Sequence, residues 1–73
     1  MFKEFDECMK NGELLWFTDP EGRVYFSEEA DRISYKDDKW IILWSDAEVT
    51  VSEGENGNTK EEWKMVLSME LTV

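Results

Sequence analysis

Five consecutive residues, Trp40-Ile41-Ile42-Leu43-Trp44, are apolar at even and odd positions alike. A strand with one wet face alternates apolar and polar side chains. An unbroken apolar run therefore predicts a central strand buried on both faces, one against a helix and one against a further layer. The chain has 73 residues, and a polypeptide this short buries only about 60% of the surface it exposes when unfolded. There is room for one core, so residues 1–73 are expected to form a single small domain around that strand. Cys8 is the only cysteine and there is no histidine, which removes an internal disulfide and a histidine-bearing zinc site as staples. Packing or oligomerisation must supply the stability. Trp16, Trp40, Trp44 and Trp63, with Phe2, Phe5, Phe17, Phe26, Tyr25 and Tyr35, make 14% of the chain aromatic, and large rings make a small core feasible.

Around this strand the pattern resolves into elements. Phe2, Phe5, Cys8 and Met9 recur at helical spacing, Lys3–Glu7 and Asp6–Lys10 are opposite charges four apart, and Asn11-Gly12 stops the helix. Residues 13–18 have strand composition, and Asp19-Pro20-Glu21-Gly22 places proline and glycine as a type I turn favours, so residues 23–27 return as the second strand of a hairpin. An acidic connection at 28–31 leads to a short strand carrying Ile33 and Tyr35, and Asp37-Asp38 closes a tight hairpin into the apolar run. Ile41, Leu43, Ala47, Val49 and Val51 share odd parity, which fits one bent strand. Ser45-Asp46 equally suits a turn between two strands, the preferred reading. Residues 53–58, with an Asn-Gly pair, form the clearest loop.

The C-terminal segment supports two readings. Thr59-Lys60-Glu61-Glu62 spells a helix capping box, with Trp63, Val66, Leu67 and Leu71 on one helical face. Against it, Trp63, Met65, Leu67, Met69, Leu71 and Val73 alternate with a polar set broken only by Val66. A strand accommodates all six and a helix strands Met65 and Met69, so a long strand is favoured. The fold class expected is α+β: a short N-terminal helix packed on an antiparallel sheet of five or six strands.

Eighteen acids against eight bases give a net charge of −10. That balance argues against direct binding of nucleic acid or anionic membrane, which demands a basic patch, and makes any large partner a basic protein. The plain alternative is that the charge keeps an aromatic-rich protein soluble. The N-terminal residues lack the apolar run of a signal peptide and no stretch approaches a membrane span, so a cytoplasmic location is expected.

Catalytic chemistry finds little material. Without histidine no nucleophilic triad can be assembled, and Cys8 falls on the apolar face of the helix. Gly12, Gly22, Gly54 and Gly57 match neither a dinucleotide fingerprint nor a phosphate loop. With Gly57 set at the sixth position of a calcium loop, Ser52, Gly54 and Trp63 would occupy ligand positions, so the EF-hand pattern fails. The expectation is a binding protein with no enzymatic activity, cofactor or metal.

The carboxylates recur at turns and strand ends rather than in one block. Glu28, Glu29, Asp31, Asp37, Asp38, Asp46, Glu48, Glu53 and Glu55 are the candidate partner-binding residues. Residues two apart on a strand lie roughly 6.7 Å apart on one face, comparable to neighbouring phosphates of a nucleic-acid strand. Asp46 and Glu48 would make such a pair if their segment is extended. In size, charge and helix-plus-sheet layout the chain resembles the small acidic inhibitors of bacteriophages and other mobile elements: anti-CRISPR proteins, anti-restriction proteins and the uracil-DNA glycosylase inhibitor. The resemblance implies a DNA mimic that occupies the basic site of a nucleic-acid-binding enzyme or complex, in the host cytoplasm. The alternative expectation is a structural or assembly module forming a homo-oligomer, with or without a small ligand enclosed between protomers.

Overall fold

The computed structural model describes residues 1–66. Helix α1 spans Phe2–Lys10. Its C-terminus closes as the Asn-Gly signal requires: Gly12 takes φ +72°, its N–H donates to the Met9 carbonyl, and the Glu13 N–H donates to the Cys8 carbonyl at 3.0 Å. Of the two charge pairs read from the sequence, Asp6–Lys10 closes, at 3.0 Å.

Strands β1 (Trp16–Thr18) and β2 (Val24–Phe26) form the expected hairpin, with Trp16 opposite Phe26, Phe17 opposite Tyr25 and Thr18 opposite Val24. Its loop is a turn followed by a left-handed glycine. The Gly22 N–H donates to the Asp19 carbonyl at 2.9 Å and Gly22 has φ +89°. Asp19 is buried, and its Oδ1 accepts the N–H groups of Glu21 and Arg23 at 2.9 and 2.8 Å. A 3₁₀ turn, Ser27–Glu29, follows. It is tied back to the hairpin through Ser27, whose Oγ accepts the Leu15 N–H at 2.9 Å and whose N–H donates to the Leu15 carbonyl.

Strands β3 (Arg32–Lys36), β4 (Lys39–Leu43), β5 (Ala47–Glu53) and β6 (Thr59–Met65) make a four-stranded antiparallel sheet in that order. The expected architecture is present: a helix packed on antiparallel strands, here six strands divided into sheets of two and four. Asp37 and Asp38 both take positive φ, +54° and +63°, the geometry of a two-residue hairpin turn. Ser45-Asp46 is a turn, with the Trp44 N–H donating to the Ala47 carbonyl at 2.8 Å. Residues 59–65 are strand, as the alternation indicated. The rest of the expected long strand, residues 67–73, lies outside the described residues.

Register sorts the sheet into two faces. Trp40, Ile42, Val49 and Val51 face inward and are buried, joined by Trp44 and Ala47. Phe2, Phe5 and Met9 of α1, and Phe17 and Tyr25 of the hairpin, cover this side. Rings link the layers: Phe5 meets Phe17 edge-on at 5.9 Å, Phe17 meets Trp44 at 5.7 Å, and Trp44 stacks on Trp63 at 6.1 Å. The expectation that β4 is buried on both faces is corrected. Ile42 is fully buried, whereas Ile41 and Leu43, on the other face, are half-buried. Helix and hairpin occupy the same side of the sheet, so among the described residues Ile41 and Leu43 are screened by cross-strand neighbours such as Ser34, Thr50, Arg32 and Glu48.

Candidate partner-binding surface

The sheet topology divides the nine candidate carboxylates between two ends. β3 and β5 run one way, β4 and β6 the other. Asp31, whose N–H donates to the Leu43 carbonyl at 2.7 Å, Asp46 in the β4–β5 turn and Glu48 opposite Leu43 gather at one end. Glu28 and Glu29, in the 3₁₀ turn just before Asp31, belong to the same end. Asp37 and Asp38 in the β3–β4 turn, with Glu53 and Glu55 at the β5–β6 connection, occupy the opposite end. At 3.3 Å per residue the five-residue strand β4 separates the two groups by roughly 13 Å. Asp46 belongs to the turn and β5 begins at Ala47, so the extended spacing does not apply to Asp46 and Glu48.

Next to the first acidic end lies a surface that the sequence patterning did not single out. Val24, Phe26 and Trp16 project from the side of the β1–β2 hairpin opposite the buried Phe17 and Tyr25, with Leu14 just ahead of β1. Leu14 is 69% exposed, Trp16 68%, Val24 51% and Phe26 44%. The hairpin sits against the acidic end because the Phe26 carbonyl accepts the Trp44 Nε1–H at 2.8 Å and Ser27 begins the acidic 3₁₀ turn. The signal was present in the sequence: a three-residue loop at Pro20–Gly22 pairs even positions with even positions, and the hairpin is apolar at both parities. One of its faces had to remain uncovered unless a further layer lay over it. Beside this face a groove of about 200 Å³ is lined by Met9, Leu14 and Ile33, with Glu13 and Glu28 among its polar residues.

Charge is segregated between the faces. The outer face of the four-stranded sheet carries Arg32, Lys36, Lys39, Lys60 and Lys64 against Glu48 and Glu62, and so holds five of the eight bases in the chain. Glu70 lies outside the described residues and Asp19 is buried, so the remaining fourteen of the eighteen acids share every other surface with Lys3, Lys10 and Arg23. Three of the described acids are anchored by ion pairs to side-chain cations, Asp6, Glu21 and Glu62.

The individual titratable groups have structural work. The Trp40 Nε1–H donates to Asp6 at 2.7 Å, and this bond, followed by that from Lys10, holds the Asp6 carboxyl below its ordinary value. Cys8 is half-buried, and burial first, then the neighbouring Glu13, raises its thiol above the ordinary range. A raised pKa disfavours the thiolate that nucleophilic chemistry needs. Among the described residues there is no grouping of three or more acids and cysteine suited to hold a metal, and no helix is long and apolar enough to cross a membrane.

Fold and surface together define a small acidic α+β domain in which a helix and an aromatic hairpin cover one side of a four-stranded antiparallel sheet. No protein-family description, curated protein or solved structure matches the chain.

Proposed function

We propose that this protein is a small acidic binding protein that inhibits a nucleic-acid-handling protein by occupying its basic site, a DNA mimic of the phage-type anti-defence kind, acting in the host cytoplasm. The observation that carries this reading is the gathering of Glu28, Glu29, Asp31, Asp46 and Glu48 at one end of the sheet, on elements whose backbone is fixed by the sheet and by the Asp31–Leu43 hydrogen bond. Such an array is preorganised, so a basic groove meets negative charge without first ordering a chain. At physiological salt the screening length is about 8 Å, so the charges that decide affinity are those brought to contact, while the net charge speeds encounter. No side chain with an activated nucleophile is required, in keeping with a protein that acts by occupation rather than catalysis.

Affinity capture from a cell lysate at low and high salt, with and without competing DNA or RNA, tests this. The expected outcome is recovery of a basic nucleic-acid-handling protein that is lost in high salt and displaced by nucleic acid. Recovery indifferent to both salt and competitor would overturn the reading. A second reading, assembly of copies of this chain, draws on the five cations of the outer sheet face, which complement the acids found elsewhere on the same molecule.

A further inference from the structure

Among the described residues, the exposed apolar side chains of Trp16, Val24 and Phe26 share one face of the hairpin, with the exposed Leu14 just ahead of it. Leu14, Trp16, Val24 and Phe26 stand on a platform pinned from behind by the buried Phe17 and Tyr25. A partner would therefore order little on binding them, and an exposed tryptophan at the centre of such a patch is the side chain most enriched at binding hot spots. We infer that this face is the anchor of the contact, and that its occupant is a basic protein surface presenting an apolar side chain flanked by lysine or arginine; the inference rests on the proposed reading of the protein as a binder of a basic site.

Two observations select that occupant over a symmetric pairing of this face with its own copy. Area is the first. Four partly exposed side chains offer a few hundred Å², whereas a standard interface takes about 800 Å² from each partner, so the rim must join the contact. Charge is the second. The rim near Leu14 and Phe26 is Glu13, Glu28 and Glu29, and a symmetric dimer would set these against their own copies. A cationic partner gains from the same carboxylates. The adjoining groove of about 200 Å³ has room for one long side chain. Met9, Leu14 and Ile33 suit the methylene stem of a lysine or arginine, and Glu13 and Glu28 suit its charged head.

The test uses the intact chain and three synthetic peptides: a lysine-rich peptide with one central leucine, the same peptide with serine in place of leucine, and its glutamate-for-lysine counterpart. Binding is followed by amide chemical shifts. The leucine peptide is expected to bind and to move residues 13–16 and 24–28, with the affinity falling about tenfold or more for the serine peptide and for Trp16→Ala. Leu14→Ser provides a second variant; both positions are more than two-thirds exposed, so neither change removes core. If the leucine and serine peptides bind alike, or both variants bind as the parent does, the hairpin is not the anchor, while the acidic binding reading stands. If neither cationic peptide binds at low salt, or the glutamate peptide binds equally well, both the anchor and the proposed function fall.

Discussion

Three side chains make the clearest predictions. Asp6 joins the helix to the sheet by accepting the Trp40 indole N–H, and that bond with the Lys10 pair lowers its pKa from the ordinary 3.8. A carboxyl with a depressed folded pKa contributes stability that is present above its unfolded pKa and is lost as pH falls through the folded value. Asp6→Asn keeps an acceptor for the indole and removes the titration, so urea midpoints measured from pH 7 down to below 4 should fall less steeply for the variant than for the parent. Trp44 packs among Phe17, Tyr25 and Trp63 and donates to the Phe26 carbonyl. Trp44→Ala should cost about 3 to 5 kcal/mol, comparable to the whole stability of so small a domain, and thermal unfolding by circular dichroism reads the loss. Asp38 holds φ +63° beside Asp37 at +54°. Asp38→Gly removes the steric cost of a left-handed non-glycine residue and one of two adjacent like charges, and should stabilise by about 0.5 to 1 kcal/mol by the same measurement.

At the scale of elements, local chemistry was written plainly where one physical preference dominated. Asn11-Gly12 ends α1 because only a residue free of Cβ strain turns that corner readily. Alternation from Trp63 to Met65 identifies β6 over the capping-box reading because strand pairing against Val49 and Ala47 gives both residues the inner face. The hairpin was equally legible, yet its partition was not. Parity shows that Trp16 and Phe26 share a face and that Phe17 and Tyr25 share the other. Which of two apolar faces is buried depends on where α1 and the four-stranded sheet come to rest, a tertiary outcome with no local signature. The same limit explains β4: an apolar run at both parities implied two covering layers, while the helix and hairpin settled on one side and left Ile41 and Leu43 half-covered. The candidate site shows the converse. The carboxylates at turns were visible one by one, but which turns share an end of the sheet follows from strand order, and that order divides nine candidates into five and four. Because the hairpin's outward face contributes little to the core, Trp16→Ala should change stability by no more than about 0.5 kcal/mol, in contrast to Trp44→Ala.

For the whole molecule, a net charge of −10 conceals an uneven distribution. The outer sheet face is cation-rich, and the acids are concentrated at the two sheet ends and on the helix and hairpin side. If a partner is captured by this surface, the contact is local and the two ends are not equivalent. The decisive measurement is the affinity of that captured partner, across a range of salt, for two variants. One carries Glu28→Gln, Glu29→Gln, Asp31→Asn, Asp46→Asn and Glu48→Gln together, and the other Asp37→Asn, Asp38→Asn, Glu53→Gln and Glu55→Gln. Occupation of a basic site by the acidic end around Asp31 and Asp46 requires the first variant to lose most of its affinity and most of its salt dependence, with the second much less affected. Unchanged affinity in the first variant, or an equal loss in both, would contradict it.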